Sequence, residues 1–122
     1  MKTYEVKVRK TYTSQDMSDW LITAIEGGIS YWCSAVWIKD KAQSNMSYQL
    51  EGLFEHPEAW SIYVEDAEDE TTVSARGLAF IDAINKVPEH VRNRLLADDH
   101  EYDAEDADAW FQCAIFGEVV YG

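Results

Sequence analysis

The stretch that decides the fold is DWLITAIEGGISYWC, residues 19–33. Apolar residues recur there, and just before it, at the i, i+3, i+4, i+7 spacing of one helix face: Met17, Trp20, Leu21 and Ala24. Gly27 or Gly28 is expected to end this helix, because glycine takes the left-handed C-cap conformation that a Cβ disfavours. The stretch therefore predicts a helix over about 15–26, capped by Thr13 or Ser14.

A strand is predicted to follow the glycines at once, over about 30–39. Nearly every residue of 30–38 is apolar, small or aromatic, which is typical of a strand buried on both faces. Strict alternation places Cys33 with Ala35 and Trp37 on one face, and Val36 with Ile38 on the other. So small a protein cannot cover both faces deeply. Two alternatives therefore stay open: both faces pack in the core, or one aromatic face forms a partner or homodimer interface.

The rest of the chain shows weaker patterns of the same two kinds. Alternation and β-branched residues predict strands over 2–12, 47–54 with Gly52 as a bulge, 59–65 and 118–121. Helices are predicted from Ser74 to Val87, after Pro88, and from the Asp103 cap to Gly117.

The order of these elements predicts the fold class. Residues 1–122 are expected to form a single α+β domain with an antiparallel sheet of three or four strands. About four helices are expected to pack mainly on one face of that sheet.

The charge of the chain is strongly acidic and unevenly distributed. The net charge is −13, from 23 acidic and 10 basic residues. Residues 1–50 hold six Lys/Arg and five Asp/Glu, a net of +1, whereas residues 51–122 hold four and eighteen, a net of −14. Such a surface repels phosphates and anionic membranes and attracts basic surfaces. We therefore expect no direct contact with nucleic acid and none with a membrane.

No residue pattern in the chain indicates a catalytic, cofactor or metal site. His56, His90 and His100 match no zinc spacing, and Cys33 and Cys113 are predicted to be buried free thiols. A calcium loop beginning at Asp99 would need Gly and Glu where Ala104 and Trp110 stand. P-loop, Rossmann and serine-hydrolase motifs are lacking as well. We therefore expect a protein that is not an enzyme and uses no cofactor. Without an apolar span or signal region, it is also expected to be cytoplasmic.

Two stretches resemble a group of small proteins encoded by bacteriophages, prophages and plasmids. One is TAIEGGISYW, residues 23–32, which is similar to a helix-EGG-aromatic motif of the group. The other joins DAEDAD, residues 103–108, to QCAIFGEVVYG, residues 112–122, and resembles the group's C-terminus. The middle of the chain, about 40–100, carries no such likeness. The resemblance implies a mobile-element origin and a bacterial host cell, a setting in which inhibitors of host defence occur.

The acidic clusters are the candidate binding site. As a phosphate-mimicking face, they would engage the nucleic-acid groove of a host protein, such as a CRISPR effector or a restriction enzyme. A solvated surface that keeps the protein soluble explains the same residues equally well. The candidate partner-binding residues are Glu65, Asp66, Glu68, Asp69, Glu70, Asp98, Asp99, Glu101, Asp103, Glu105 and Asp108.

An alternative function places a ligand between two glycine turns. Glu26 precedes Gly27–Gly28, and Glu118 follows Gly117, so each glutamate stands at a predicted helix end. A cleft between the 26–28 turn and the 116–118 turn would suit a small-molecule-binding or enzymatic accessory protein. Local turn chemistry explains both glutamates without a ligand.

Overall fold

The computed structural model describes residues 1–4 and 11–122. Within this part the helices are α1 (Ser14–Thr23), α2 (Leu78–Ala83), α3 (Glu89–Leu95) and α4 (Ala104–Phe116). The strands are β1 (Cys33–Asp40), β2 (Asn45–Met46), β3 (Trp60–Asp66) and β4 (Thr71–Arg76). A π-helical turn (Ala24–Gly28) continues α1, and 3₁₀ turns (Leu53–Glu55, Pro57–Ala59) precede β3.

The strands form one four-stranded antiparallel sheet in the order β2-β1-β3-β4. Val36 pairs with Val64 and Ile38 pairs with Ile62, so apolar side chains of β1 and β3 share one face. These residues belong to the same hydrophobic core as the apolar faces of the helices. The predicted α+β class, with a small antiparallel sheet and about four helices, is confirmed.

A bulge in β1 changes which residues face the core. The register shifts between Cys33 and Ala35, so Cys33 stands opposite Asp66 while Val36 stands opposite Val64. Cys33 therefore shares the core face with Val36, and the predicted strict alternation is wrong because the bulge inserts Ser34. Ser34 is exposed, so the prediction of a strand buried on both faces is wrong as well.

Aromatic packing joins α1 to α4, as the helical spacing of residues 17–24 predicts. Trp20, Leu21 and Ala24 are almost completely buried. The Trp20 ring meets the Trp110 ring edge-on, with centroids 5.4 Å apart. Edge-to-face pairs of this kind add about 0.5–1.5 kcal/mol beyond the area they bury. The predicted apolar face of α1 is confirmed.

The glycine pair has a different role from the predicted one. The chain passes through a π-helical turn at Ala24–Gly28, and neither Gly27 nor Gly28 has a positive φ. A Cβ on Gly28 would lie 2.6 Å from the Ala104 carbonyl oxygen, closer than real Cβ atoms come to any neighbour. Gly28 is therefore needed because the turn packs directly against α4.

Two predicted elements in the middle of the chain are wrong. Residues 47–54 form turns, and Gly52 has a φ of 77° before a 3₁₀ turn, so it is no bulge. Residues 71–76 form β4 and pair with β3, so the predicted helix from Ser74 is shortened to Leu78–Ala83. Gly77 lies between β4 and α2. A larger residue would not fit there, because its Cβ would lie 2.3 Å from the Pro57 carbonyl oxygen.

The predictions for the chain ends have mixed outcomes. Capping boxes at Thr13 and Asp103 start α1 and α4, and Gly117, with a φ of 83°, ends α4. No strand forms at 118–121. The central part of the predicted strand 2–12, residues 5–10, lies outside the described residues, and its described ends are not in a strand.

The close approach of Gly28 to α4 predicts different effects of alanine at neighbouring glycines. Gly28→Ala should lower the free energy of unfolding by about 1–3 kcal/mol, because the new Cβ overpacks the contact with Ala104. Gly27→Ala is the matched control, since its Cβ would meet only the Ala104 Cβ at 3.6 Å, an ordinary contact. Urea unfolding measures both, and equal stabilities of the two variants would contradict the packing role of Gly28.

Candidate functional site

The side chain of Gln112 holds the chain end in place. It is fully buried on α4, and its Oε1 accepts hydrogen bonds from the backbone N–H groups of Val120 and Tyr121, both at 2.8 Å. Its Nε2 donates to the Tyr121 carbonyl oxygen at 3.1 Å. The amide thereby pairs with the backbone of residues 118–122, hereafter the tail, much as a neighbouring strand would.

Asp108, one turn before Gln112, is a buried carboxylate held by neutral donors. Its Oδ1 accepts from the Trp32 indole N–H at 2.8 Å and from the Gln112 amide at 3.0 Å. Its Oδ2 accepts from the Tyr31 hydroxyl at 2.6 Å. Among the described residues, no lysine, arginine or histidine forms an ion pair with Asp108. In the part of the chain that the structure describes, this carboxylate is therefore stabilised by neutral hydrogen-bond donors.

Asp66, at the end of β3, binds the side chain of Tyr121, whose backbone Gln112 holds. Its Oδ2 accepts from the Tyr121 hydroxyl at 2.6 Å, and its Oδ1 accepts from the Glu68 backbone N–H at 3.0 Å. The Tyr121 ring stacks on Trp32, with centroids 5.5 Å apart and an interplanar angle of 15°. Tyr121 thus connects the tail to β3 and to Trp32, the residue before β1.

The structure separates the predicted acids into three groups. Asp66 and Asp108, two of the candidate partner-binding residues, are buried and so do not lie on an exposed face. Asp103 caps α4 and accepts from Arg94 at 3.2 Å, and the hydrogen bond from the Asp106 N–H and the Arg94 charge lower its pKa. The remaining predicted acids are exposed: Glu65, Glu68, Asp69, Glu70, Asp98, Asp99, Glu101 and Glu105.

Exposed acids of both clusters lie close enough to Tyr121 and Tyr31 to affect their hydroxyl groups. The hydrogen bond to Asp66 and then burial, together with the charges of Asp69 and Glu68, raise the pKa of Tyr121 to about 12. Burial, the hydrogen bond to Asp108 and the charge of Glu105 raise the pKa of Tyr31 to about 12. Gln112 joins these two tyrosines, donating to the Tyr31 hydroxyl at 3.3 Å and to the Tyr121 carbonyl. We call the exposed acids of 65–70 and 98–105, together with the tail, the acidic surface.

A cavity of about 740 Å³ lies beside the tail. Its wall includes the glycine turn, the first turns of α4 and the tail: Gly27, Gly28, Tyr31, Glu105, Val119 and Tyr121. The alternative hypothesis placed a cleft between turns 26–28 and 116–118. Glu26 and residues 116–118 do not line the cavity, and Glu26 instead accepts hydrogen bonds from Tyr48 and Gln49 at 2.9 Å each.

Several predictions about reactive groups can be compared with the structure directly. Cys33 and Cys113 are free and buried, as predicted, and burial raises the pKa of both thiols. In residues 1–4 and 11–122, no group of three or more His, Cys, Asp or Glu side chains is arranged to hold a metal ion. None of the helices in this part of the chain is both long and apolar enough to cross a membrane.

Sequence reasoning did not identify the residues that organise this site. The two stretches that resemble mobile-element proteins do include Gln112, Tyr121 and Tyr31. No local pattern, however, assigned the buried amide to the tail or the tyrosine hydroxyls to buried carboxylates. Comparisons of the chain with protein-family models, with curated proteins and with solved structures find no match.

The hydrogen bonds of Gln112 predict that its loss releases the tail. Gln112→Leu keeps much of the volume but leaves two tail N–H groups and the Tyr121 carbonyl without this partner, and it removes one of the three donors to Asp108. This should cost at least ~2 kcal/mol of stability. Hydrogen exchange at Val120 and Tyr121 should become much faster. Gln15→Leu, at an exposed position of α1, is the control. Unchanged exchange in Gln112→Leu would contradict this role.

The raised pKa values of Tyr31 and Tyr121 predict a loss of stability at alkaline pH. Both rise from 10.0 to about 12 because the fold holds the neutral phenols against carboxylates. Stabilisation from these contacts is therefore complete below about pH 10 and is lost as pH rises towards 12. The variant Tyr31→Phe/Tyr121→Phe should lose less of its own stability over this range. Urea midpoints measured from pH 8 upwards test this, and equal slopes for both proteins would refute it.

Proposed function

We propose that this protein is a non-enzymatic interaction protein that places its acidic surface in the nucleic-acid-binding groove of another protein. The observation that supports this most directly is that exposed acids of both clusters act on the two tyrosines joined by Gln112. Glu68 and Asp69 act on the Tyr121 hydroxyl, and Glu105 acts on the Tyr31 hydroxyl. These charges come from distant parts of the sequence, which supports the proposal that they act as one surface.

The distribution of charge suits a broad basic groove better than a single cationic residue. Duplex DNA carries one negative charge per roughly 1.7 Å of its axis, so a mimic needs carboxylates spread over a face. One cluster lies on the hairpin formed by β3 and β4, and the other lies on the segment that leads into α4. The tail is hydrogen-bonded to Asp66 at the end of β3 and to Gln112 on α4. Arg94 belongs to the same region, but it is engaged by Asp103 and Asp106.

The resemblance to mobile-element proteins suggests the class of partner. We propose a nuclease or effector of bacterial host defence, such as a CRISPR effector or a restriction enzyme, met in the cytoplasm of the host cell. The protein would act as an inhibitor by occupying the groove that otherwise receives DNA. Binding would depend on many modest ion pairs and would not require an enzymatic step.

Neutralising the hairpin acids tests this proposal. Binding is measured by surface plasmon resonance against purified CRISPR effectors and restriction enzymes, at low and high salt. Glu68→Gln/Glu70→Gln should reduce the association rate constant several-fold, to roughly a third or less, because steering by the surface charge weakens. Higher salt should weaken wild-type binding steeply, and duplex DNA should compete for the same partner.

A matched control separates this surface from the overall charge. Glu51→Gln/Glu58→Gln removes the same charge from exposed positions in the segment before β3, whereas the hairpin follows the other end of that strand. This variant should bind nearly as wild type does. Equal losses in the two variants, salt-independent binding, or simultaneous binding of the partner to DNA and this protein would contradict mimicry. A lack of binding to every enzyme tested would rule out this class of partner.

A further inference from the structure

The cavity beside the tail has the size and the fixed walls of a ligand site. Its volume of about 740 Å³ falls within the ~300–1,000 Å³ that small-molecule sites occupy. Contributions come from distant parts of the chain: the glycine turn, the start of α3, the first turns of α4 and the tail. The packing of Gly28 on Ala104 and the hydrogen bonds of Gln112 to the tail hold two parts of this wall in place.

The walls of this cavity carry an excess of negative charge. Glu105 is exposed there, and Asp108 contributes a buried carboxylate whose hydrogen-bond donors are all neutral. The charge of Asp106 is matched, because Arg94 Nε lies 2.6 Å from its Oδ2. His90 is the basic side chain among the described residues that line the cavity. An anionic ligand would be repelled, whereas a cation would offset the charge that Asp108 carries into the fold.

Two aromatic rings add a surface that favours organic cations. Tyr31 is 57% exposed although its hydroxyl is bound to Asp108, so its ring is oriented in advance and remains accessible. Tyr121 lines the same cavity, and its stacking on Trp32 fixes its ring. The face of an aromatic ring attracts an ammonium or guanidinium group by about 0.5–2 kcal/mol. Little side-chain entropy is lost on binding, because both rings are already held.

We propose that this cavity binds an organic cation, an ammonium or guanidinium group carried on an apolar chain, between Tyr31, Tyr121, Glu105 and Asp108. The apolar side chains of Val91, Ala109 and Val119 line the same space and would contact the chain of the ligand. The aromatic and apolar lining favours an organic cation over a bare metal ion. The site does not depend on the proposed partner, since a free amine or a protein side chain presents the same group.

An NMR titration of the isolated protein tests this site. Four probes are added in about 0.15 M salt, which screens the general attraction of an acidic protein for cations. N-acetylarginine methylamide represents a protein side chain, and putrescine represents a free amine. N-acetylglutamate methylamide and N-acetylleucine methylamide are the anionic and neutral references. A cationic probe should shift the amide signals of Gly27, Gly28 and the tail in a saturable way, and the references should not.

Two pairs of variants locate the binding. Glu105→Gln should weaken binding several-fold, whereas Glu118→Gln removes the same charge from an exposed tail residue that does not line the cavity. Gly27→Leu should weaken it by about tenfold or more, because its side chain enters the cavity. Gly27→Ala should bind nearly as wild type does, since a Cβ there makes one ordinary contact. Should Gly27→Leu fail to fold, the glutamate pair still decides.

Each outcome has a defined meaning. Saturable binding of the arginine derivative identifies a protein side chain as a ligand source, and binding of putrescine identifies a free amine; either result supports the site. The proposal is overturned if no cation binds, or if the anionic probe binds equally well. It is also overturned if Glu105→Gln and Glu118→Gln lose binding equally, or if a folded Gly27→Leu binds as wild type does. None of these outcomes depends on the partner assay, so each proposal can fail separately.

Discussion

The buried amide of Gln112 is the interaction on which this arrangement depends. It connects α4 to the tail through three hydrogen bonds and to the Asp108 carboxylate through a fourth. A buried polar network stabilises a fold only if all its members are satisfied, because an unpaired group keeps its full desolvation cost. In the described part of the chain, no buried side-chain nitrogen or oxygen lacks a partner. The tail forms no strand, but its backbone is hydrogen-bonded to the Gln112 amide much as a strand is bonded to its neighbour.

This network divides the acidic residues by role. Asp66 and Asp108 are buried and receive tyrosine hydroxyls, so their charges support the tail. The side chains of Glu68, Asp69 and Glu105 are exposed, so they can contact solvent or a partner. A count of carboxylates from the sequence overstates the charge available at the surface, because it treats both kinds alike. The proposed function depends on the exposed kind, and its geometry depends on the buried kind.

Local patterns predicted the features that local physics determines. The capping boxes at Thr13 and Asp103, the apolar face of α1 and the turn at Gly117 all follow from residues within one or two helical turns. The errors arise where distant residues decide. Ser74 caps no helix because β3 pairs with the segment that contains it, and Gly28 is required because Ala104 lies against it. Gln112 belongs to this second class, since its partners on the tail follow a reversal of the chain that spacing alone cannot place.

The tail is shared by the acidic surface and the cavity, so variants differ in what they can reveal. Releasing the tail through Gln112 would disturb Tyr121, which touches both regions, and any loss of binding would be ambiguous. Glu68 and Glu70 belong to the acidic surface without lining the cavity, and Gly27 lines the cavity without carrying charge. Glu105 belongs to both. A partner could insert an arginine into the cavity while its groove covers the hairpin. Its binding would then be weakened by changes at Glu68 and Glu70, at Gly27 and at Glu105. A free amine would respond to Gly27 and Glu105 more than to Glu68 and Glu70, because these two hairpin acids do not line the cavity and salt screens exposed charges.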